Sequence, residues 1–147
     1  MVISARAHYS CLALLELARH IDQEGTASDG LVAAGEIRER HEIPGPFLSQ
    51  ILRSLIASGW VESIRGSQGG YRLVVDPQSI SLLDIAEAAG CHPSQKRFDE
   101  TNLASQVLCE TWANAAECAR AELQRVTLAD IVNRCSESEH ARLMFYI

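Results

Sequence analysis

Pro46, Ser49, Gln50 and Arg53 lie between two turns in the segment 43–73, IPGPFLSQILRSLIASGWVESIRGSQGGYRL. Leu48, Ile51, Leu52 and Leu55 recur there at i, i+3, i+4 and i+7, the spacing of one buried helical stripe. With that stripe inward, Pro46, Ser49, Gln50 and Arg53 turn outward, and Ser49 and Arg53 share a face as i, i+4 neighbours. Glutamine can make two hydrogen bonds to an adenine edge in the major groove, and arginine two to a guanine edge. The helix start adds free N–H groups and partial positive charge suited to a phosphate. A merely soluble polar face is the plain alternative, because exposed helix faces are usually polar.

The elements that position these residues decide between the two. The turn Ile43-Pro44-Gly45-Pro46 opens a helix over 47–58, and Gly59 is its left-handed stop. Residues 61–73 then read as strand, glycine-rich turn and strand, with Arg65-Gly66-Ser67-Gln68-Gly69-Gly70 at the tip. A short helix with a polar outer face, followed by a hairpin with a basic tip, is the outline of a winged helix-turn-helix. Upstream, Ser4 caps a helix that runs to about Ile21, with Ile3, Ala7, Cys11, Leu14, Ala18 and Ile21 at helical spacing. Cys11 sits in that stripe as a small buried hydrophobe. Arg6 and His8 lie at its amino end, facing a phosphate or solvent. Residues 22–30 are a polar loop, residues 31–40 hold the next short helix, and His41 and Glu42 form a turn with no metal-like companion for the histidine.

The chain is long enough for one domain with an appended helix. Its net charge of −6 opposes simple nucleic-acid binding. The charge is uneven, however: −1 over residues 1–75 and −5 over 76–147. Counterion release needs local positive charge rather than a positive total. No apolar run reaches membrane-spanning length. The amino terminus lacks the order of a signal peptide, so a cytoplasmic protein is expected. Five widely spaced cysteines are no disulfide framework. No nucleophile–base set, phosphate loop or paired-carboxylate site is present, which excludes the usual enzyme classes.

Beyond the hairpin, Ser81-Leu82-Leu83-Asp84 is a capping box opening a short helix to Ala89. Residues 91–102 form a polar loop holding Cys91, His92, Lys96 and Arg97. The pattern from Leu103 to Val126 is the longest helix, with Leu108, Trp112, Ala115, Ala119, Leu123 and Val126 spaced 4, 3, 4, 4 and 3 apart. That coiled-coil-like seam points to a second copy of the chain; the alternative is a helix folded back on its own domain. Thr127-Leu128-Ala129-Asp130 is a second capping box, opening a last helix to about Arg134. Residues 136–139 are solvated, and Leu143-Met144-Phe145-Tyr146-Ile147 is an apolar tail that should pack somewhere.

In order and spacing, these pieces resemble the Rrf2 family (IscR/NsrR-type) of bacterial winged-helix transcription regulators. The likeness covers about residues 3–132. It rests on Tyr9 with Leu14, Leu17 and Ala18; on Ile37, Ile43-Pro44, Phe47-Leu48, Gln50-Ile51-Leu52 and Leu55; on Gly59, Val61, Ser63, Arg65-Gly66, Gly69-Gly70-Tyr71 and Leu73; and on residues 81–85, Trp112 and 127–130. The resemblance implies a homodimer on a near-palindromic double-stranded operator, with Ser49, Gln50 and Arg53 facing bases. Arg65, Ser67, Gln68 and Tyr71 would meet the wing side of the DNA, Gly66, Gly69 and Gly70 would let the wing backbone approach closely, and Arg72 would face phosphate or solvent.

Two departures stand out. Arg38 replaces a residue that is usually small in the family. The cluster-binding members carry three closely spaced cysteines before the long helix, whereas this chain has only Cys91 there. No cofactor is predicted on that count. Cys91, His92 and Cys109 remain the donors an iron–sulfur cluster would need, with a fourth ligand from a partner. Cys109 and Cys118, nine residues apart, face opposite sides of one helix. The alternative is a loop thiol at Cys91, an interface thiol at Cys109 and a helix-packed Cys118.

The expectation is a mainly α fold with a small β-hairpin wing and a long C-terminal dimerisation helix. Residues 1–90 are expected to form the DNA-binding domain, 91–102 a sensor-type loop, and 103–147 the dimerisation helix and tail. Its function would be sequence-specific DNA-binding transcription regulation, as a repressor responsive to redox or another signal. The competing reading is a winged-helix module for protein partners.

Overall fold

The computed structural model describes residues 3–21, 30–92 and 102–146. All but Gly30 of the loop expected over 22–30, most of that over 91–102 including Lys96 and Arg97, and Ile147 lie outside the described residues.

Helix α1, Ala5–Arg19, is capped by Ser4, whose hydroxyl accepts from the Ala7 N–H at 3.1 Å. It buries Ala13, Leu14, Leu17 and Ala18. It ends two residues short of Ile21, so Ile3 and Ile21 at either end of the expected stripe are exposed. Helix α2, Ala34–His41, inserts one buried side chain, Ile37. Glu42 takes a left-handed φ of 52° to turn the chain, and Ile43 plugs the space between α2 and α3.

Helix α3, Gly45–Ala57, buries Leu48, Ile51, Leu52 and Leu55, the stripe read from the sequence. Gly59 follows with φ 76°, the left-handed stop. Strands β1, Val61–Ile64, and β2, Gly70–Leu73, pair antiparallel with Val61 opposite Leu73 and Ile64 opposite Gly70. Val61 and Leu73 carry the hairpin base into the core.

The sequence did not reveal a third piece of this sheet. Val32 and Tyr71 exchange both backbone hydrogen bonds at 2.9 Å, which ties the chain just before α2 to the wing. Gly70 permits this, because a Cβ there would stand 2.7 Å from the Val32 carbonyl oxygen. Gly69 is likewise required inside the hairpin, where a Cβ would collide with the Ile64 carbonyl. Gly66 has φ 125° and open space around it. Packing within the protein therefore explains Gly69 and Gly70 directly.

A single 3-10 turn, Pro77–Ser79, leads to α4, Leu82–Ala88. Helices α5, Leu103–Arg125, and α6, Leu128–Phe145, complete the chain. Both expected capping boxes form, at Ser81/Asp84 and Thr127/Asp130. They lie back to back: the Leu82 N–H donates to Val126 and the Leu128 N–H to Ile80, at 2.9 and 2.8 Å. This join seats Leu128 in the core beside Ile80 and Ile85.

Helix α6 corrects the expected stop near Arg134. Residues 136–139 are solvated as expected, but they are helical, and the Ser136 and Ser138 hydroxyls are accommodated by donating to the Val132 and Arg134 carbonyls. No glycine or proline interrupts that stretch. The apolar end, 143–146, remains exposed in one chain.

Candidate nucleic-acid interface

Helix α3 presents Pro46, Ser49, Gln50 and Arg53 on its exposed side. Its start is capped by no side chain, since Pro44 precedes it and a second proline follows Gly45. Among the described residues, no capping side chain accepts from the Gly45 and Phe47 N–H groups of the first turn. Ser49 donates to its own Gly45 carbonyl at 3.2 Å. Arg53 forms no ion pair among the described residues, nor does Arg65 at the exposed wing tip, where Ser67 and Gln68 are also open.

The remaining expected contacts are placed differently. Arg6 is half-buried, and its Nη2 donates to Ser54 Oγ at 2.6 Å while Ser54 donates to the Gln50 carbonyl at 3.2 Å. Its Nε is buried without a partner among the described residues. In this structure Arg6 braces α3 rather than projecting from the surface. Arg72 pairs with Glu62 directly across the hairpin. Tyr71 is half-buried, packed on the core and fixed by Val32. Tyr9 supports α3 from behind through an edge-on contact with Phe47, ring centroids 5.6 Å apart.

Arg38 was noted in the sequence only as a departure. Its guanidinium lies over the start of α3: a methyl group built on Gly45 would stand 3.8 Å from Arg38 Cδ and Nη1. The sequence hid that proximity between residues seven apart, because it depends on the α2–α3 turn.

Behind this surface lies a buried charge the sequence reading passed over. Glu16 of α1 is fully buried. Arg40 grips its carboxylate with Nε at 3.2 Å from Oε2 and Nη1 at 3.3 Å from Oε1. His41 Nε2 donates to Oε2 at 2.9 Å. His41 is therefore the end of α2 and a partner of Glu16, not a free turn residue. One signal was available, a glutamate inside the apolar run 12–18, LALLELA.

The expected pairing face on α5 is exposed at Leu108, Trp112, Ala115 and Ala119 and half-buried at Leu123 and Val126. The 23-residue helix buries no side chain in its own chain.

The thiols are dispersed. Cys91 is buried against Ala7, Ala86 and Ala89, its Sγ 3.2 Å from Ser4 Oγ. Burial pushes the Cys11 thiol up to about 11, with proximity to Cys91 adding to the rise. Cys109 is half-buried, and Cys118 is exposed rather than helix-packed. Among the described residues, Cys91, His92 and Cys109 do not converge on a common point. Helix α4 meets α5 through Glu87 and Arg120 at 2.8 Å. Cys109 lies eleven residues before that contact, about 16 Å along the helix. One chain's described residues therefore do not fit a cluster, which would need donors from elsewhere, such as a paired copy.

A three-helix core followed by a two-stranded wing, with a polar helix face left open, defines a winged helix-turn-helix, a DNA-reading class. Residues 3–134 match the Rrf2 family, described as iron-dependent transcriptional regulators. A Synechocystis sp. protein carrying the description HTH-type transcriptional regulator is 34% identical over 89% of this chain and 87% of its own. The solved structure of T. potens IscR aligns with a TM-score of 0.73 and 29% identity, covering 94% of this chain and 90% of that one. CymR, titled the global cysteine regulator of B. subtilis, aligns with a TM-score of 0.75 and 25% identity over 91% and 98%. The chain belongs to the Rrf2 family and is a DNA-binding transcription regulator. Its relatives carry regulatory, non-enzymatic names, and among the described residues no helix is long and apolar enough to cross a membrane.

Proposed function

We propose that this regulator acts as a homodimer that sets α3 of each copy into successive major grooves of a near-palindromic operator. The observation that carries the reading is the open face of α3, where Gln50 and Arg53 stand on a buried leucine stripe beside a wing tip bearing Arg65, neither arginine ion-paired among the described residues. Gln50 and Arg53 read base edges. Arg65, Ser67 and Gln68 follow the backbone or minor groove. Arg38 and the uncapped start of α3 hold a phosphate, for which free N–H groups and a guanidinium are complementary.

Pairing occurs through α5, whose Leu108 and Trp112 are exposed in one chain. Residues 1–90 form the DNA-reading unit, 91–102 the sensor-type loop, and 103–147 the pairing unit. Output is repression by occlusion of a promoter, which needs nothing beyond DNA binding. Redox or another signal enters near Cys91. Its thiol touches the cap of α1, and α1 carries the Arg6 that holds Ser54 of α3.

The test uses duplexes selected from a random pool by the full-length protein. Arg53→Ala should lose about 1–3 kcal/mol on the selected site and much less on unrelated DNA. Arg38→Ala should weaken both and lower the salt slope by about 1. Equal losses on both DNAs for Arg53→Ala would refute base reading. Unaltered DNA binding in both variants would favour a protein-docking module instead.

A further inference from the structure

We propose that Glu16, His20 and Glu36, gathered where α1 meets α2, form a site for one divalent first-row metal ion of zinc-like preference. One ligand atom from each lies within 4.8 Å of those of the other two. Small side-chain movements would close that spacing around a metal with bonds of about 2.0–2.2 Å to nitrogen and oxygen. Glu36, whose side chain is 53% exposed, is free to move. Glu16 is fixed, and the His20 side chain is only 18% exposed.

The protonation pattern suits a metal. His20 Nδ1 lies 2.8 Å from the Glu16 backbone carbonyl, which can only accept, so Nδ1 carries the proton. In the neutral ring Nε2 is then the lone-pair nitrogen, and it lies 4.0 Å from Glu36 Oε1. A ligand histidine whose other nitrogen donates to a backbone carbonyl is the usual supporting arrangement at protein metal sites. Glu16 is supported in the same way. Arg40 and His41 both bond Oε2, while Oε1 accepts a single hydrogen bond, from Arg40 Nη1, among the described residues. A second lone pair on Oε1 remains for an ion, and the His20 ring stands beside it, with the protonated Nδ1 3.9 Å away.

Charge and donor type narrow the ligand. Two carboxylates against one guanidinium leave net negative charge, which favours a cation even with Arg40 in place. Arg40 is itself half-exposed and can swing outward as an ion enters. One imidazole with two carboxylates is a borderline nitrogen–oxygen set that suits zinc, iron or cobalt in the divalent state over calcium. Water would complete the coordination. This would be a mononuclear site independent of any thiol, and it does not depend on the operator reading.

The experiment titrates reduced, metal-stripped full-length protein with Zn2+ by calorimetry and with Co2+ by absorption. Wild type, His20→Gln and Glu36→Gln are compared. Both variants keep the Glu16–Arg40 pair, so their folding should survive, and circular dichroism checks it. Wild type should bind one Zn2+ at this site and gain thermal stability from it. Each variant should bind at least tenfold more weakly. The Co2+ bands lost in the variants should lack sulfur charge-transfer absorption. Zn2+ affinity equal in all three proteins, or Co2+ spectra dominated by sulfur and unchanged in His20→Gln, would overturn the proposal.

Discussion

Glu16 shows how a single side chain constrains the rest. A carboxylate enclosed by α1 and α2 costs several kcal/mol unless partners replace its water. Here Arg40 and His41 do so. Arg40→Ala should cost about 1–3 kcal/mol of stability, discounted toward the low end because Arg40 is half-exposed. In a Glu16→Gln background the same change should cost much less; urea melts of the four proteins measure the coupling, and simple additivity would deny it. Cys11 offers a second residue-scale test. Its neutral thiol is the stable buried form, with the pKa raised from 9.0 to about 11. That contribution is present below pH 9 and is lost as pH rises through about 11. At pH 8, iodoacetamide should label Cys11 roughly tenfold or more slowly than exposed Cys118, as followed by mass spectrometry. Equal labelling rates would show that the site is open. The apolar stripe pointed to a buried Cys11, and the structure places it half-buried at the edge of the core. The surroundings of Glu16 stayed hidden, because its partners lie on another helix.

Among the elements, α3 was the most legible, since its four buried residues sit at a spacing that only one helical face can satisfy. Both capping boxes were legible as well, because each depends on residues three apart. Their mutual hydrogen bonding was not, since it joins residues 80–82 to 126–128 across a long stretch of chain. The end of helix α6 was hidden because residues 136–139 are polar throughout and serine is a weak helix former, while the glutamates beside the serines favour the helix that forms. The exposure of candidate contacts was legible where it follows the periodicity of α3, at Ser49, Gln50 and Arg53. It was less so at Arg6 and Arg72, which turn to Ser54 and Glu62. The wing anchor yields the test at this scale. Gly70→Ala places a methyl group 2.7 Å from the Val32 carbonyl oxygen, so the Val32–Tyr71 bridge must open or shift. Overpacking of that kind should cost about 1–3 kcal/mol in a urea melt. Binding to selected DNA should weaken as the wing loses its support. Unchanged stability and affinity would show that the bridge does not position the wing.

Charge is uneven along the whole molecule, −1 over residues 1–75, which hold α3 and the wing, and −5 over 76–147. Few phosphate contacts are available to one copy, so single-site binding should be weak and only mildly dependent on salt. Two copies held together double the contacts and make the second engagement effectively intramolecular, a gain of roughly a hundredfold or more. In the proposed homodimer, specific affinity should therefore depend on pairing through the exposed face of α5. Trp112, 63% exposed, lies near the middle of a face that also bears Leu108. Trp112→Glu should place a charge in the paired interface without disturbing the core, since α5 contributes no buried side chain to its own chain. Sedimentation should then report single chains with the helical circular dichroism of the wild type. Affinity for selected DNA should fall by roughly a hundredfold or more, and the salt slope should be about halved. A variant that still pairs would move the interface off this face. A single chain that binds as tightly as the wild type would show that one copy reads DNA unaided.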